Sequence, residues 1–196
     1  MARLLGVDAR SLWATAGERG NAADEIVAAY AHRADVPPAL WQSQVETATR
    51  HVDLLGYAMQ FLFESHPSLV DLLRRKGQDG CQVRIAIVDP TSPEAANRDR
   101  EEQLDDGLLA RIRTAIKYMS PLVDAPGVAI RQHRTPMYNS IFRYDEDLLV
   151  TPHLYAAPGF MSPLLHLRRS APDCLFETFL THFERVWDSA ERLEGV

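Results

Sequence analysis

The spacing of apolar residues changes along the chain, and each change marks an element. Over residues 39–50, Leu40, Trp41, Val45 and Ala48 recur on one helix face behind Pro38, which suits a first helical turn. Residues 51–58, HVDLLGYA, have the short and nearly continuous apolar character of a buried strand. Helical spacing returns over 61–76 through Leu62, Leu69, Leu72 and Leu73, broken near Pro67 and ended by Gly77 and Gly80. Residues 81–88, CQVRIAIV, alternate as a strand that Asp89 and Pro90 close. Strand, helix, glycine turn and strand in this order predict a βαβ unit with a parallel sheet.

The second half is patterned differently. One polar helix is expected over 93–119, with Leu104, Leu108, Ile112 and Ile116 as a single narrow stripe. Its arginines 98, 100, 111 and 113 alternate with acids. This predicts a solvated face with intrahelical ion pairs, or alternatively a lid or a dimer contact. Residues 128–133 read as a strand, and 140–144 and 147–151 as a hairpin turning at Asp145-Glu146. After a loop at 158–163 comes a strand at 164–168. A last helix is expected over 175–193, with Phe176, Phe179, Phe183, Val186 and Trp187 on one face. The fold class is α/β.

The opening residues, MARLLGVDARSLWATAGERGN, read as two short helices joined at Gly6-Val7-Asp8, and Asp8 can cap the second. Residues 1–20 read as a helical arm on the body of the protein. Alternatively they are a remnant of a helix-turn-helix, since they resemble the second and third helices of the XRE type. Residues 21–38, with an apolar run at 25–30 and a Val36-Pro37-Pro38 break, read as a linker. Residues 39–196 form the main domain.

Composition narrows the function. Of 196 residues, 46% are apolar and 24% charged, which suits one full core. A net charge of -6 argues against a dedicated binder of nucleic-acid backbone but leaves room for a pocket holding one anion. The two cysteines, Cys81 and Cys174, lie in apolar runs and are expected as buried free thiols. No zinc-type spacing of Cys or His occurs, and no metal or other cofactor is expected. With no secretory signal and no apolar run of bilayer length, a cytoplasmic protein without membrane contact is expected.

Ligands of open α/β sheets sit beyond the carboxyl ends of strands. The polar residues gathered near strand ends are His133, Tyr138, Asn139, Ser140, Arg143, His153, Tyr155, His166 and Arg168, and a shared pocket is expected of them. Arg143 and Arg168 are the anion anchors, unless they pair with Asp145, Glu146 or Asp147. Tyr138, Asn139 and Ser140 can orient a ligand. Tyr57 and Tyr155 can stack on a ring or pack in a wall. The three histidines can bind a phosphorylated group or make binding sensitive to pH.

The order of elements over 40–192 resembles the phospholipase D superfamily. That family's motif is His-x-Lys-x4-Asp. Here the aligned positions are Tyr138, Ser140 and Asp145, and FERVW at 183–187 is similar to the family's last helix. The resemblance implies a mixed sheet flanked by helices and a site whose nucleophilic histidine and lysine are replaced. Tyrosine, with a pKa near ~10, is mostly protonated at neutral pH, and serine offers one neutral hydrogen bond where lysine offers a charge. A narrower set of stretches (VPPALW, DLLGYAMQFL, VRIAIVDPTSP, GVAIRQHRTPMYNSIFRYDEDLLVTPHLYA and LHLRR) resembles the phospholipase-D-like domain found behind XRE-type helix-turn-helix regions in bacterial regulators. That resemblance implies a homodimer, and DNA contact only through a helix-turn-helix largely missing from this chain.

The leading expectation is therefore a catalytically inert, dimerising sensor domain of a transcriptional regulator that binds a small anionic, phosphorylated or nucleotide-like ligand. The alternatives are a divergent phosphodiesterase or nuclease using His133, His153 or His166, and a pure assembly module.

Overall fold

The apolar run at 51–56 and the alternation at 82–88 become paired central strands in the computed structural model, which describes residues 22–194. Strand β2 (His51–Gly56) runs parallel to β3 (Gln82–Val88), and β3 parallel to β4 (Val128–His133), as the βαβ pattern predicts. On the other side of β2 the sheet turns antiparallel through β5 (Asn139–Tyr144), β6 (Asp147–Pro152), β7 (Leu164–Arg168) and β1 (Ile26–Tyr30). A short β8 (Glu191–Arg192) pairs antiparallel with β4 and completes eight strands in the order β1-β7-β6-β5-β2-β3-β4-β8. The mixed α/β sheet flanked by helices is the expected fold class.

Side chains alternate across a strand, so the sheet divides the core in two. Leu54, Ile85, Ile87 and Phe142 face a cluster with α1 (Pro38–Thr47), α2 (Gln60–Ser65), α3 (Leu69–Gln78), α4 (Pro93–Glu101) and α5 (Gly107–Met119). Leu55, Ala86, Ile141 and Leu148 face α6 (Leu175–Ser189), whose Phe176, Phe183, Val186 and Trp187 are buried as the sequence stripe predicts. The entry to β4 crosses the end of α3 closely. Gly127 has φ +73°, and a Cβ there would lie 2.3 Å from the Gly77 carbonyl oxygen, so neither steric room nor backbone conformation suits a side chain.

Three expectations are corrected. Residues 21–38 were expected as a linker, yet from Ala22 onward they enter the fold: β1 lines the edge of the sheet, and the Arg33 amide donates to the Ser162 carbonyl at 2.7 Å. β1 was hidden because it exposes Ile26 and Val27 and pairs with a strand far along the chain. The helix expected over 93–119 is two helices. Gln103, Asp105 and Asp106 take positive φ between them, and the Asp99 carboxylate accepts the amides of Asp106 and Leu108 at 2.8 and 2.7 Å, which starts α5 afresh. The last helix stops at Ser189, where the chain extends into β8. The helix-turn-helix reading of residues 1–20 lies outside the described residues. Among those described, no helix is long and apolar enough to cross a membrane.

A buried ionic network ties the central strands to α6. Register places Arg84 and Arg143 directly beside Asp53, all on the α6 face. Arg84 donates to Asp53 at 2.6 and 3.0 Å and to Glu184 of α6 at 2.8 Å twice, and Arg143 donates to Asp53 at 3.1 Å. Burial alone would pull the Arg84 guanidinium down. Its bonds to Asp53 and Glu184 outweigh that and hold it above its ordinary value.

Candidate ligand-binding cleft

Because β5 runs antiparallel to β2, its beginning lies beside the carboxyl end of β2, and the end of β6 comes to the same edge. Ser140, early in β5, therefore meets His153, just past β6. Parity keeps Ser140 on the face opposite α6, since Ile141 and Arg143 point toward α6. Gly56 ends β2 at this edge. A Cβ there would come within 2.5 Å of Met59 Cγ, so glycine lets the Met59 side chain pack against this strand end beside Ser140. Tyr57 and Phe61 follow at the start of α2, while Arg33 arrives from the turn after β1.

Together these residues line a cleft of about 420 Å³, with the α4–α5 junction as its far wall. His153 is the best fixed group in it. Its Nε2 lies 2.9 Å from Ser140 Oγ, its Nδ1 lies 3.3 Å from the Met137 carbonyl, and the Tyr57 ring covers it with centroids 5.2 Å apart. Burial, reinforced by the charges of Arg98 and Arg33, pushes the His153 pKa down to about 4, so the ring is neutral at pH 7. Burial likewise raises the Tyr57 phenol.

Arg33 sits over the Phe61 ring, its guanidinium carbon 3.8 Å from the centroid. It has no carboxylate within ion-pair distance among the described residues. Burial pulls its pKa down to about 10, countered only in part by the more distant Glu102 charge, and it stays protonated at neutral pH. Glu102 itself is taken by Arg98, which donates to it at 2.6 Å. Arg98 is buried, not solvated as the charge pattern of its helix predicts. It also donates to the carbonyls of Leu154 and Ala157 at 3.1 and 2.8 Å, fixing the loop that follows His153.

The nine residues expected to share a pocket are thus distributed over several places. Ser140 and His153 meet in the cleft. Asn139 is next to Ser140 at the head of β5. Tyr138 and Tyr155 stand on the surface nearby, 68% and 84% exposed. His133 ends β4 on the α6 side, fully buried, with Nδ1 3.1 Å from Thr135 Oγ1 and Nε2 without a partner; burial pushes its pKa down to about 4. Arg143 is also on the α6 side, committed to Asp53. His166 and Arg168 are at the opposite end of the sheet, where His166 Nε2 lies 2.7 Å from Asp147 and Arg168 donates to the same carboxylate at 2.8 Å. Six residues of β6 separate Asp147 from the His153 end, about 20 Å of strand. Both arginines named as anion anchors are therefore paired with aspartates. A larger depression, about 630 Å³, lies beside Arg169, but Glu146 and Glu177 already hold that arginine at 3.1 and 2.8 Å.

The aspartate at the motif-like spacing is not in the cleft either. Asp145 occupies the β5–β6 turn at φ +50°. Its carboxylate accepts the amides of Thr49, Arg50 and His51 at 2.8, 2.9 and 2.7 Å and the Thr49 hydroxyl at 3.1 Å. Sequence reasoning missed Arg33, because only the pairing of β1 with β7 carries the turn after β1 to the cleft.

A family model described as "Domain of unknown function (DUF5919)" matches residues 22–194. No curated protein matches the chain. Among solved structures, an archaeal chromatin protein, TrmBL2, described as showing a novel mode of DNA binding, is similar with a TM-score of 0.54 at 14% identity. That likeness covers 94% of this chain, which spans only 60% of the archaeal protein's length. Nuc from Salmonella typhimurium, a phospholipase D family member, aligns at a TM-score of 0.48 and 16% identity, over 79% of this chain and 89% of its own. NucT from Helicobacter pylori aligns at 0.48 and 10%, with the same coverage.

Proposed function

We propose, for a chain that belongs to the DUF5919 family of domains of unknown function, that the cleft at Arg33, Ser140 and His153 holds a small organic anion and that the domain senses it without chemical turnover. One observation carries the reading: Arg33 is a partly desolvated cation with no carboxylate partner among the described residues, and the cleft it lines holds a second arginine, the exposed Arg111, while Glu102 is already paired with Arg98. Removing a cation from water is costly unless an anion compensates it. A bound carboxylate or phosphate supplies that compensation through the guanidinium fork.

The environment of the cleft argues against catalysis. At the motif-like positions, Tyr138 is on the surface and Ser140 is neutral. Ser140 and His153 are placed like a nucleophile and its base, but the base must hold a proton in the transition state. Two arginine charges and burial oppose that proton. The similarity to phospholipase D family members and to a DNA-binding chromatin protein leaves the wider setting as part of the proposal. In it, the domain dimerises within a transcriptional regulator and meets DNA only through a helix-turn-helix outside residues 22–194. The net charge of -6 supports keeping DNA away from the domain itself.

Thermal-shift titration with nucleotides and phosphosugars tests the reading. A ligand at a hundred times its Kd is expected to stabilise by about 2.7 kcal/mol, a rise of about 5–10 °C for a domain of this size. Arg33→Gln is expected to weaken that ligand by at least about tenfold, the smaller end of a charge-assisted pair. Absence of any shift across the anions would favour a pure assembly module. Turnover of a generic phosphodiester or of single-stranded DNA that His153→Ala abolishes would establish an enzyme instead.

A further inference from the structure

The hydrogen-bond directions in the cleft specify more than an anion. A carbonyl only accepts, so the Met137 contact requires the proton of His153 to sit on Nδ1. In the neutral ring Nε2 is then a bare acceptor, and Ser140 must donate its single proton to it across the 2.9 Å contact. No other hydrogen bond engages Ser140 Oγ among the described residues. What the serine turns toward the cleft is therefore oxygen lone pairs. The cleft presents a buried acceptor at Ser140 and an exposed one at Glu64, donors at Arg33 and Arg111, and ring surface at Tyr57, Phe61 and Phe160. An ion with only acceptor oxygens suits Arg33 but sets lone pair against lone pair at Ser140.

Resting on the anion-binding reading above, we infer that the ligand is a hydroxylated organic anion of the phosphosugar or nucleoside-phosphate class, with a ligand hydroxyl donating to Ser140 Oγ and its anionic group on Arg33. The ring surfaces suit the C–H faces of a sugar or the plane of a base. An anion with no hydroxyl, such as sulfate or a dianionic methyl phosphate, leaves the serine acceptor without a donor, which is the arrangement that discriminates hydroxylated ligands from their analogues.

Calorimetric titration at mildly alkaline pH, where phosphate monoesters are dianions, with ribose 5-phosphate, glucose 6-phosphate and AMP, set against methyl phosphate and sulfate, tests this. At least one hydroxylated probe is expected to bind about tenfold more tightly than methyl phosphate, one good hydrogen bond at the upper end of its ordinary worth. AMP outranking both sugar phosphates would place a base on the ring surfaces, and the reverse order a sugar alone; both orders support the inference. In Ser140→Ala the hydroxylated probes are expected to fall to within about threefold of methyl phosphate, because Nε2 lies a further 2.9 Å back and is out of reach. A far-UV circular dichroism spectrum matching that of the unaltered domain shows that the variant is folded. Equal binding of all phosphates by the unaltered domain overturns this inference while leaving the role of Arg33 standing. A hydroxyl preference that survives in Ser140→Ala overturns it too. Binding of none of the probes overturns the reading on which it rests.

Discussion

Asp53→Ala is expected to destabilise the domain by about 3–5 kcal/mol, the cost of stranding buried charge. Asp53 is fully buried and is the common partner of Arg84 and Arg143, which reach it from the two neighbouring strands. With it gone, only Glu184 remains to balance two guanidiniums lying against Phe176, Phe183 and Trp187. Those ring faces attract the cations but do not neutralise them. Replacing the partner at the rim is a different matter. The Glu184 side chain is 41% exposed, so water can take its place, and Glu184→Gln is expected to cost less than about 1 kcal/mol. Urea denaturation of both variants checks the contrast, with the midpoint shifted and the slope unchanged for each. If Asp53→Ala does not fold, Asp53→Asn, which keeps the shape and loses the charge, should show a loss well above that of Glu184→Gln. Similar small losses for all three would mean that the network is hydrated and does not brace the sheet.

Much of the sheet was legible because its strands carry their own signals. The run HVDLLG has Val52 and Leu54 on one face and Leu55 on the other, and QVRIAIV carries the β-branched Val83, Ile85, Ile87 and Val88, as suits strands buried between helix layers. What could not be read locally depends on partners distant in sequence. IVAAY becomes a strand only because β7, well over a hundred residues on, offers it an edge. The break before α5 has no proline; Asp99 imposes it by capping amides seven and nine residues ahead. The polar site failed as a single pocket for two geometric reasons. Parity turns Arg143 to the α6 face while Ser140 faces the cleft, and the antiparallel run of β6 sends Asp147, with its partners His166 and Arg168, to the end away from His153. A list of polar residues near strand ends contains neither strand direction nor face. The Ser140–His153 pair survives because both reach the same edge on the same face.

Asp145 is where spacing and geometry part most clearly, and Asp145→Ala is expected to cost about 2–3 kcal/mol. Three backbone amides and a hydroxyl converge on this carboxylate and hold the approach to β2 against the β5–β6 turn. Charge-assisted bonds of this kind are worth about 1.5–3 kcal/mol each when fully buried. Part of that is lost here to solvent, since three of the four bonds lie at the surface. Alanine adds strain of about 1 kcal/mol at φ +50°, a conformation that Asp and Asn tolerate better. Asp145→Asn, free of that strain and still an acceptor, should lose about half as much. Burial alone would raise the Asp145 pKa, but the amides of Thr49, His51 and Arg50 outweigh it and hold it below the ordinary carboxylate value. The sign follows from that direction. Its stabilisation is complete above the unfolded pKa of about 3.9 and disappears as pH falls through the lower folded value. The gap between the unaltered protein and Asp145→Ala should therefore be constant from pH 7 to about pH 5 and narrow in acid, which denaturation at stepped pH measures. Ligand affinity should not change, because five residues of β5, about 16 Å of strand, separate the turn from Ser140. A variant that keeps its stability but loses anion binding would place Asp145 in the chemistry of the cleft and remove the distinction drawn between the motif's spacing and its function.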